Sequence, residues 1–150
     1  ERPMHGPPCR WSLAEHKLTA PSLEVAKEWV ATISAALALC HDRPRNLLVF
    51  LNPFSGAKRA RQVWEGAAMP IFQRARIKYA VVETQAPDHA RDMLASMKAD
   101  ELAQYQGVVA VGGDGVFQEC MIGLLAQRAR GGAHAAVAAR IRLGHIPGGS

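Results

Sequence analysis

The chain has 150 residues, 49% hydrophobic and 21% charged, with a formal net charge of +5, which excludes a long disordered tail and leaves room for one packed domain or a domain plus a piece of another. The basic balance favours an anionic partner: a nucleotide, a nucleic acid or an acidic membrane surface. Cys9, Cys40 and Cys120 are too widely spaced for a disulfide framework or a zinc pattern, and no apolar run approaches the about 18 residues of a membrane span.

The expected setting is therefore reducing and cytoplasmic, with any membrane contact peripheral and no transmembrane segment. The start, "ERPMHGPPCRW", has no signal-peptide core, and the end, "HIPGGS", stops inside a Gly-rich turn. These features read as a fragment cut at both ends.

The segment 9–18, "CRWSLAEHKL", alternates loosely and reads as a last strand of something begun upstream. In 21–40, Ala26, Trp29, Val30, Ile33, Leu37 and Cys40 recur at helical spacing, with Pro21 suited to the first turn. Asp42, Arg43 and Pro44 break that helix and act as a linker.

From Arg45 onward apolar runs alternate with helical patterns, the mark of a parallel α/β sheet in the order β-α-β-α-β-α-β. "NLLVFL" is a buried strand, "NPFSGA" a turn, and "KRARQVWEGAAMPIFQRA" a helical stretch bent or interrupted at Pro70. "RIKYAVVET" is the second strand, after which Asp88 is placed to cap the helix "HARDMLASMK". "GVVAV" is the third strand, "VFQECMIGLLAQRA" the third helix and "RIRLGHI" the fourth strand. The Arg-Gly-Gly-Ala stretch near Gly131 is the only low-complexity hint.

In an open parallel sheet, ligands bind outside the carboxyl ends of the strands. Gly-bearing turns follow the first, third and fourth strands as "NPFSG", "GGDG" and "PGGS". Glycine lets the backbone approach a ligand closely, and free N–H groups at a helix start favour phosphate oxygens. The dinucleotide and P-loop patterns are both missing, so a different nucleotide fold is expected. A carboxylate among glycines would repel a bare triphosphate, so Asp114 is read as binding Mg²⁺ through water, accepting a proton from an attacking hydroxyl, or both. The plain alternative is that Asp114 caps the helix starting at Val116. Lys58, Arg59 and Arg61 either neutralise phosphate charge, face an acidic membrane or simply form a solvated helix face.

"LLVFLNPFSGAKRARQVWEGAAMPIF", "VVAVGGDGVFQE" and "IRLGHIPGGS" resemble the nucleotide-binding part of the diacylglycerol kinase catalytic domain, shared by lipid kinases for diacylglycerol, sphingoid bases and ceramide. Phe54 after Asn52-Pro53, the "GGDGVF.E" pattern and the Trp29 segment, which is similar to the closing helix of a pleckstrin-homology domain, make the ceramide kinases the most similar branch. The resemblance implies an open parallel-sheet nucleotide-binding domain of the diacylglycerol kinase/NAD kinase type at 43–150, preceded at 1–42 by the end of a pleckstrin-homology-like domain and a linker.

It also implies roles. Asn52, Pro53, Phe54, Ser55 and Gly56 would touch ATP, as would Thr84, Gln85, Ala86, Pro87 and Asp88, although ceramide kinases tend to read T-E-H-A-N at those last five positions. Gly112, Gly113, Asp114 and Gly115 would meet the lipid headgroup and the phosphates. Asp114 would be the catalytic proton acceptor, with no direct metal ligand assigned and Mg²⁺ reached through it. Glu119 would support the nucleotide or its Mg²⁺, its plain alternative being a solvated helix residue. Gly149 and Ser150 would begin the family's P-A-G-S-T-D turn, with Gly148 in place of Ala. The implied reaction is ATP-dependent phosphorylation of ceramide at a membrane surface, the fragment alone being inactive.

Three rivals stand beside it: a kinase of the same superfamily for diacylglycerol, sphingosine or NAD; a non-catalytic lipid- or nucleotide-binding module; and, lowest, nucleic-acid binding, which lacks a basic-aromatic stripe.

Overall fold

The computed structural model describes residues 16–54 and 59–148. The chain divides into two compact units, Glu1–Arg43 and Pro44–Ser150. In the first, helix α1 spans Leu23–Ala38 and begins at Ser22, whose hydroxyl accepts the Val25 N–H at 3.3 Å. Pro21 therefore precedes the cap instead of occupying the first turn. His16–Ala20 carry no regular structure, and residues 9–15 of the expected upstream strand lie outside the described residues.

The second unit is built on four parallel strands, β1 (Asn46–Leu51), β2 (Lys78–Glu83), β3 (Gly107–Gly112) and β4 (Arg142–Pro147), in the order β2-β1-β3-β4. The central pair, "NLLVFL" and "GVVAVG", is nearly all apolar because both of its faces are covered. Leu47, Val49 and Leu51 point to one face with Val109 and Val111, while Leu48 and Phe50 point to the other with Val108 and Ala110.

The first face is covered by α2 (Ala60–Val63), a π-helical turn over Trp64–Ala68 and α3 (Met69–Arg74). Pro70 has no N–H to give and its ring crowds the turn before it. The helix accommodates this by widening, so that the Met69 N–H reaches back to the Trp64 carbonyl. The break expected at Pro70 is thus a bulge just ahead of it.

The second face is covered by α4 (His89–Ser96), α6 (Asp114–Ala129) and neighbouring α5 (Ala99–Leu102) and α7 (Gly132–Ala138). The helix expected over 89–98 stops at Ser96, because Met97 is extended, and the sequence reading did not foresee α5, which begins with the Glu101 carboxylate accepting the Lys98 N–H at 3.1 Å. The stretch that looked low in complexity opens α7: Gly131 (φ 73°) and Gly132 (φ 53°) take the left-handed turn that an Ala-rich helix then follows. Among the described residues no helix is long and apolar enough to cross a membrane.

Gln127 is fully buried, and its Nε2 donates to the carbonyls of Leu94 (2.6 Å), Ala95 (3.3 Å) and Met97 (2.8 Å). Replacing it with Leu keeps the bulk but strands carbonyls at the end of α4, so a loss of about 2–3 kcal/mol is expected in urea unfolding. A loss below about 0.5 kcal/mol would contradict that assignment.

Cys120 lies in the same core, and burial, with the Glu119 charge adding, pushes its thiol up to about 12. It is therefore protonated at neutral pH, and a maleimide is expected to label exposed Cys40 and spare Cys120 until the protein unfolds. Labelling of folded protein at Cys120 at pH 7 would refute this.

Candidate functional site

The carboxyl ends of the four strands are laced together one residue beyond the ladder. Thr84 N–H donates to the Leu51 carbonyl at 2.9 Å, Asn52 N–H to Val111 at 2.9 Å, and Gly148 N–H to Gly112 at 2.8 Å. The segments expected to touch ATP and substrate therefore start from one edge of one sheet. Strand order reverses between β1 and β3: the connection from β1 goes to the face holding Ala60 and Trp64, and that from β3 to the face holding Val116 and Cys120. Such a switch point opens a crevice above the sheet.

On the β1 side, the Asn52 Oδ1 accepts the Phe54 N–H at 3.0 Å and folds the turn, leaving the Phe54 ring 71% exposed. Pro53 lies inside that turn, and Ser55 and Gly56, like Lys58, Gly149 and Ser150, lie outside the described residues. Arg61, which sequence reading offered to phosphate, has its guanidinium on Glu83 at 2.6 Å and Glu65 at 3.7 Å.

On the β3 side, Gly112 closes the strand at φ 150°, a conformation that residues with a side chain rarely adopt. Gly113 is the extended N-cap residue, and α6 starts at Asp114, two residues before the expected Val116. Asp114 therefore lies inside the first turn, past the N-cap Gly113, and is not the capping residue. Its carboxylate is exposed, in the first helical turn, where free N–H groups and the helix dipole favour negative charge. Around Gly115 an added Cβ would meet nothing within 4 Å, so this part of the turn faces open space.

Thr84–Asp88 follow β2 on the same edge. Thr84 is buried against Leu51, its Oγ1 3.5 Å from that carbonyl, while Gln85, Ala86 and Pro87 are exposed. The Gln85 N–H donates to His89 Nδ1 at 3.1 Å, which places the neutral ring's proton on Nε2. Asp88 adopts a left-handed backbone, φ 67°, tolerated best by Asn and Asp among non-glycine residues. It does not cap α4 as expected: its carboxylate pairs with Arg91 Nη1 at 2.9 Å. The capping contact comes from another helix, since Glu119 Oε2 accepts the Ala90 N–H at 3.2 Å. Arg91 is raised above its ordinary value chiefly by its hydrogen bond to Asp92, with Asp88 and Glu119 adding charge.

Sequence reading assigned His145 no metal site, because it is isolated in the sequence from His89 and the cysteines, and gave it no other role. Its Nε2 lies 3.0 Å from the Gly112 carbonyl, which also receives the Gly148 N–H, and its ring packs 5.2 Å from that of Phe117. Both bonds hold the peptide just before the Asp114 turn. The available signal was a histidine set between Gly144 and Ile146 in a strand, in register with Ala110. Gly148 itself is tight: a Cβ there would stand 3.1 Å from the Ala60 Cβ and 3.2 Å from Gly112 Cα.

No three His, Cys, Asp or Glu side chains cluster among the described residues. A protein cage for a metal is therefore not formed by them, but a Mg²⁺ ion needs none: it usually rests on one or two carboxylates and on substrate phosphates. Asp114, an exposed carboxylate at this edge, fits that role.

The family model described as the diacylglycerol kinase catalytic domain matches residues 46–150. Over 121 residues the chain is 40% identical to a ceramide kinase of Oryza sativa subsp. japonica, covering 81% of this chain and 20% of the relative. It is 31% identical over 148 residues to the ceramide kinase of Homo sapiens, covering 94% and 27%, and 36% identical over 108 residues to sphingosine kinase 1 of Arabidopsis thaliana, covering 72% and 21%. The chain thus spans about a fifth to a quarter of the length of these curated relatives. Among solved structures, a diacylglycerol kinase from Bacillus anthracis str. Sterne superposes with a TM-score of 0.51 at 21% identity, covering 71% of this chain and 34% of that one, a likeness of fold.

Proposed function

This chain belongs to the diacylglycerol kinase catalytic domain family, and on that premise we propose that it forms the nucleotide side of an ATP-dependent lipid kinase acting on the primary hydroxyl of ceramide. The product would be ceramide 1-phosphate. The observation that carries the reading is the exposed Asp114 carboxylate, past the N-cap, at the first turn of α6 and at the switch point between β1 and β3.

In this reading Asp114 accepts the proton of the lipid hydroxyl as that oxygen attacks. The open side of Gly115 admits the headgroup, and the N–H groups at the start of α6 hold phosphoryl oxygens as charge builds on them. Asn52, Pro53 and Phe54 line one flank of the nucleotide and Thr84–Asp88 the other, with Glu119 behind the latter. Mg²⁺, when bound through Asp114 and the phosphates, supplies neutralising charge. Ser55, Gly56, Gly149 and Ser150 complete the nucleotide contacts by the same resemblance. The segment works within a longer polypeptide, as the relatives' lengths suggest. Residues 1–42 are read as the end of a pleckstrin-homology-like domain with its linker, and the whole as cytoplasmic and peripherally bound to membranes.

Sphingosine kinases at 36% and 40% identity support a second reading, in which the acceptor is a sphingoid base. Incubating the intact kinase with γ-labelled ATP, Mg²⁺ and ceramide, sphingosine or diacylglycerol in mixed micelles separates them. Ceramide is expected to take the label fastest; label entering sphingosine or diacylglycerol at a higher kcat/KM would overturn the substrate assignment, and no transfer to any would overturn the kinase reading.

A further inference from the structure

Glu119, Gly123 and Gln127 stand four residues apart on α6 and form one stripe along it. That stripe meets α4 from its first turn to its last. At the start, Glu119 Oε2 takes the Ala90 N–H at 3.2 Å. Midway, a Cβ on Gly123 would lie 2.7 Å from Leu94 Cβ and 2.8 Å from the Arg91 carbonyl oxygen, so only glycine lets the helices lie this close. At the end, Gln127 holds the Leu94, Ala95 and Met97 carbonyls, and its own Oε1 is 2.7 Å from His134 Nδ1, which orients the amide. Arg130 adds bonds to Ala95 at 3.1 Å and Met97 at 3.3 Å.

Each helix begins at one flank of the crevice. α4 starts directly after Thr84–Asp88, and α6 starts at Asp114. The two helices run parallel and are pinned at both ends, so the separation between the nucleotide-side segment and the acid is set by side chains of α6. Asp88 cannot do this from within its own segment, because its carboxylate is held by Arg91 and its backbone is left-handed.

We propose that Glu119 is a positioning residue of the phosphoryl-transfer site, acting through the Ala90 N–H to fix Thr84–Asp88 against Asp114, with no direct contact to nucleotide or ion. This rests on the kinase reading for its catalytic consequence but not for its structural one. The neutral amide of Gln offers the same acceptor oxygen as Glu, whereas Ala offers none, so Glu119→Gln and Glu119→Ala separate positioning from charge.

Hydrogen exchange of the nucleotide-free, metal-free protein is read first. The peptide covering residues 85–92 is expected to exchange about tenfold faster in Glu119→Ala and near the wild-type rate in Glu119→Gln, one tenfold step being about 1.4 kcal/mol of lost protection. Equal protection in all three would overturn the proposal whatever the enzyme's activity. In the intact kinase, Glu119→Ala is expected to raise the KM for ATP by about tenfold and Glu119→Gln by less than about threefold, with the Mg²⁺ dependence of the rate unmoved in the latter. Failure of Glu119→Gln as complete as that of Glu119→Ala, with a raised Mg²⁺ requirement, would assign Glu119 to the ion or nucleotide and overturn positioning.

Discussion

Replacing Asp114 with Asn is expected to lower the kcat of the intact kinase by about 10²–10⁴-fold, the range a positioned general base supplies. Asn has the same shape and accepts hydrogen bonds, but it is not a base near neutral pH. The side chain is exposed at the first helical turn and is not that of the N-cap residue, so the fold loses only the interaction of one charge with the helix start, about 0.3–1 kcal/mol. The expected signature is a melting temperature within a few degrees of wild type and turnover nearly gone. Turnover within about threefold of wild type would remove Asp114 from the base role.

Truncating Trp64 to Ala is expected to be among the most damaging single changes to the fold, at about 3–5 kcal/mol. The indole is 4% exposed and stands edge-on to Phe72 at 5.4 Å and to Tyr79 at 5.3 Å, these two being 5.9 Å apart. The three rings join the α2–α3 stretch to β2 beneath the first face of the sheet, alongside Leu47, Val49 and Leu51. Such a loss is a large share of the about 5–15 kcal/mol that domains of this size have in total. Urea unfolding should show a lower midpoint at an unchanged slope, with Trp64→Phe losing less because it keeps a ring against Phe72 and Tyr79. A loss below about 1 kcal/mol for the Ala variant would mean that this cluster does not hold the helix to the sheet.

Much of this architecture was legible because the central strands are nearly unbroken apolar runs. "NLLVFL" and "GVVAV" had to lie inside a sheet covered on both faces, and helical spacing between them required parallel crossovers. From parallel order alone it follows that the turns after every strand share an edge, which is why Asn52, Thr84, Gly112 and Gly148 meet there.

What escaped the sequence was set by tertiary contacts. Asp88 has the composition of an N-cap, yet Arg91 three residues on claims its carboxylate, and the cap comes from Glu119, which accepts the N–H of Ala90 29 residues before it. No local pattern encodes that. The widened turn at Trp64–Ala68 likewise reflects a balance between Pro70 and a buried indole, which propensity does not weigh. The helix after Gly131 was legible in principle, since its run "AHAAVAA" is a strong helix former. His145 was given no role because what it does lies in a bond to the neighbouring strand's terminal carbonyl.

The central claim is that one crevice above β1 and β3 brings a bound triphosphate and an incoming alcohol to the same carboxylate. Its most direct test is a crystal structure of the intact kinase with a non-hydrolysable ATP analogue, Mg²⁺ and a short-chain ceramide. The terminal phosphate is expected at the start of α6, with an Asp114 oxygen within about 3.2 Å of the lipid's primary hydroxyl. Nucleotide bound at the opposite edge of the sheet, or Asp114 turned away from both ligands, would contradict it.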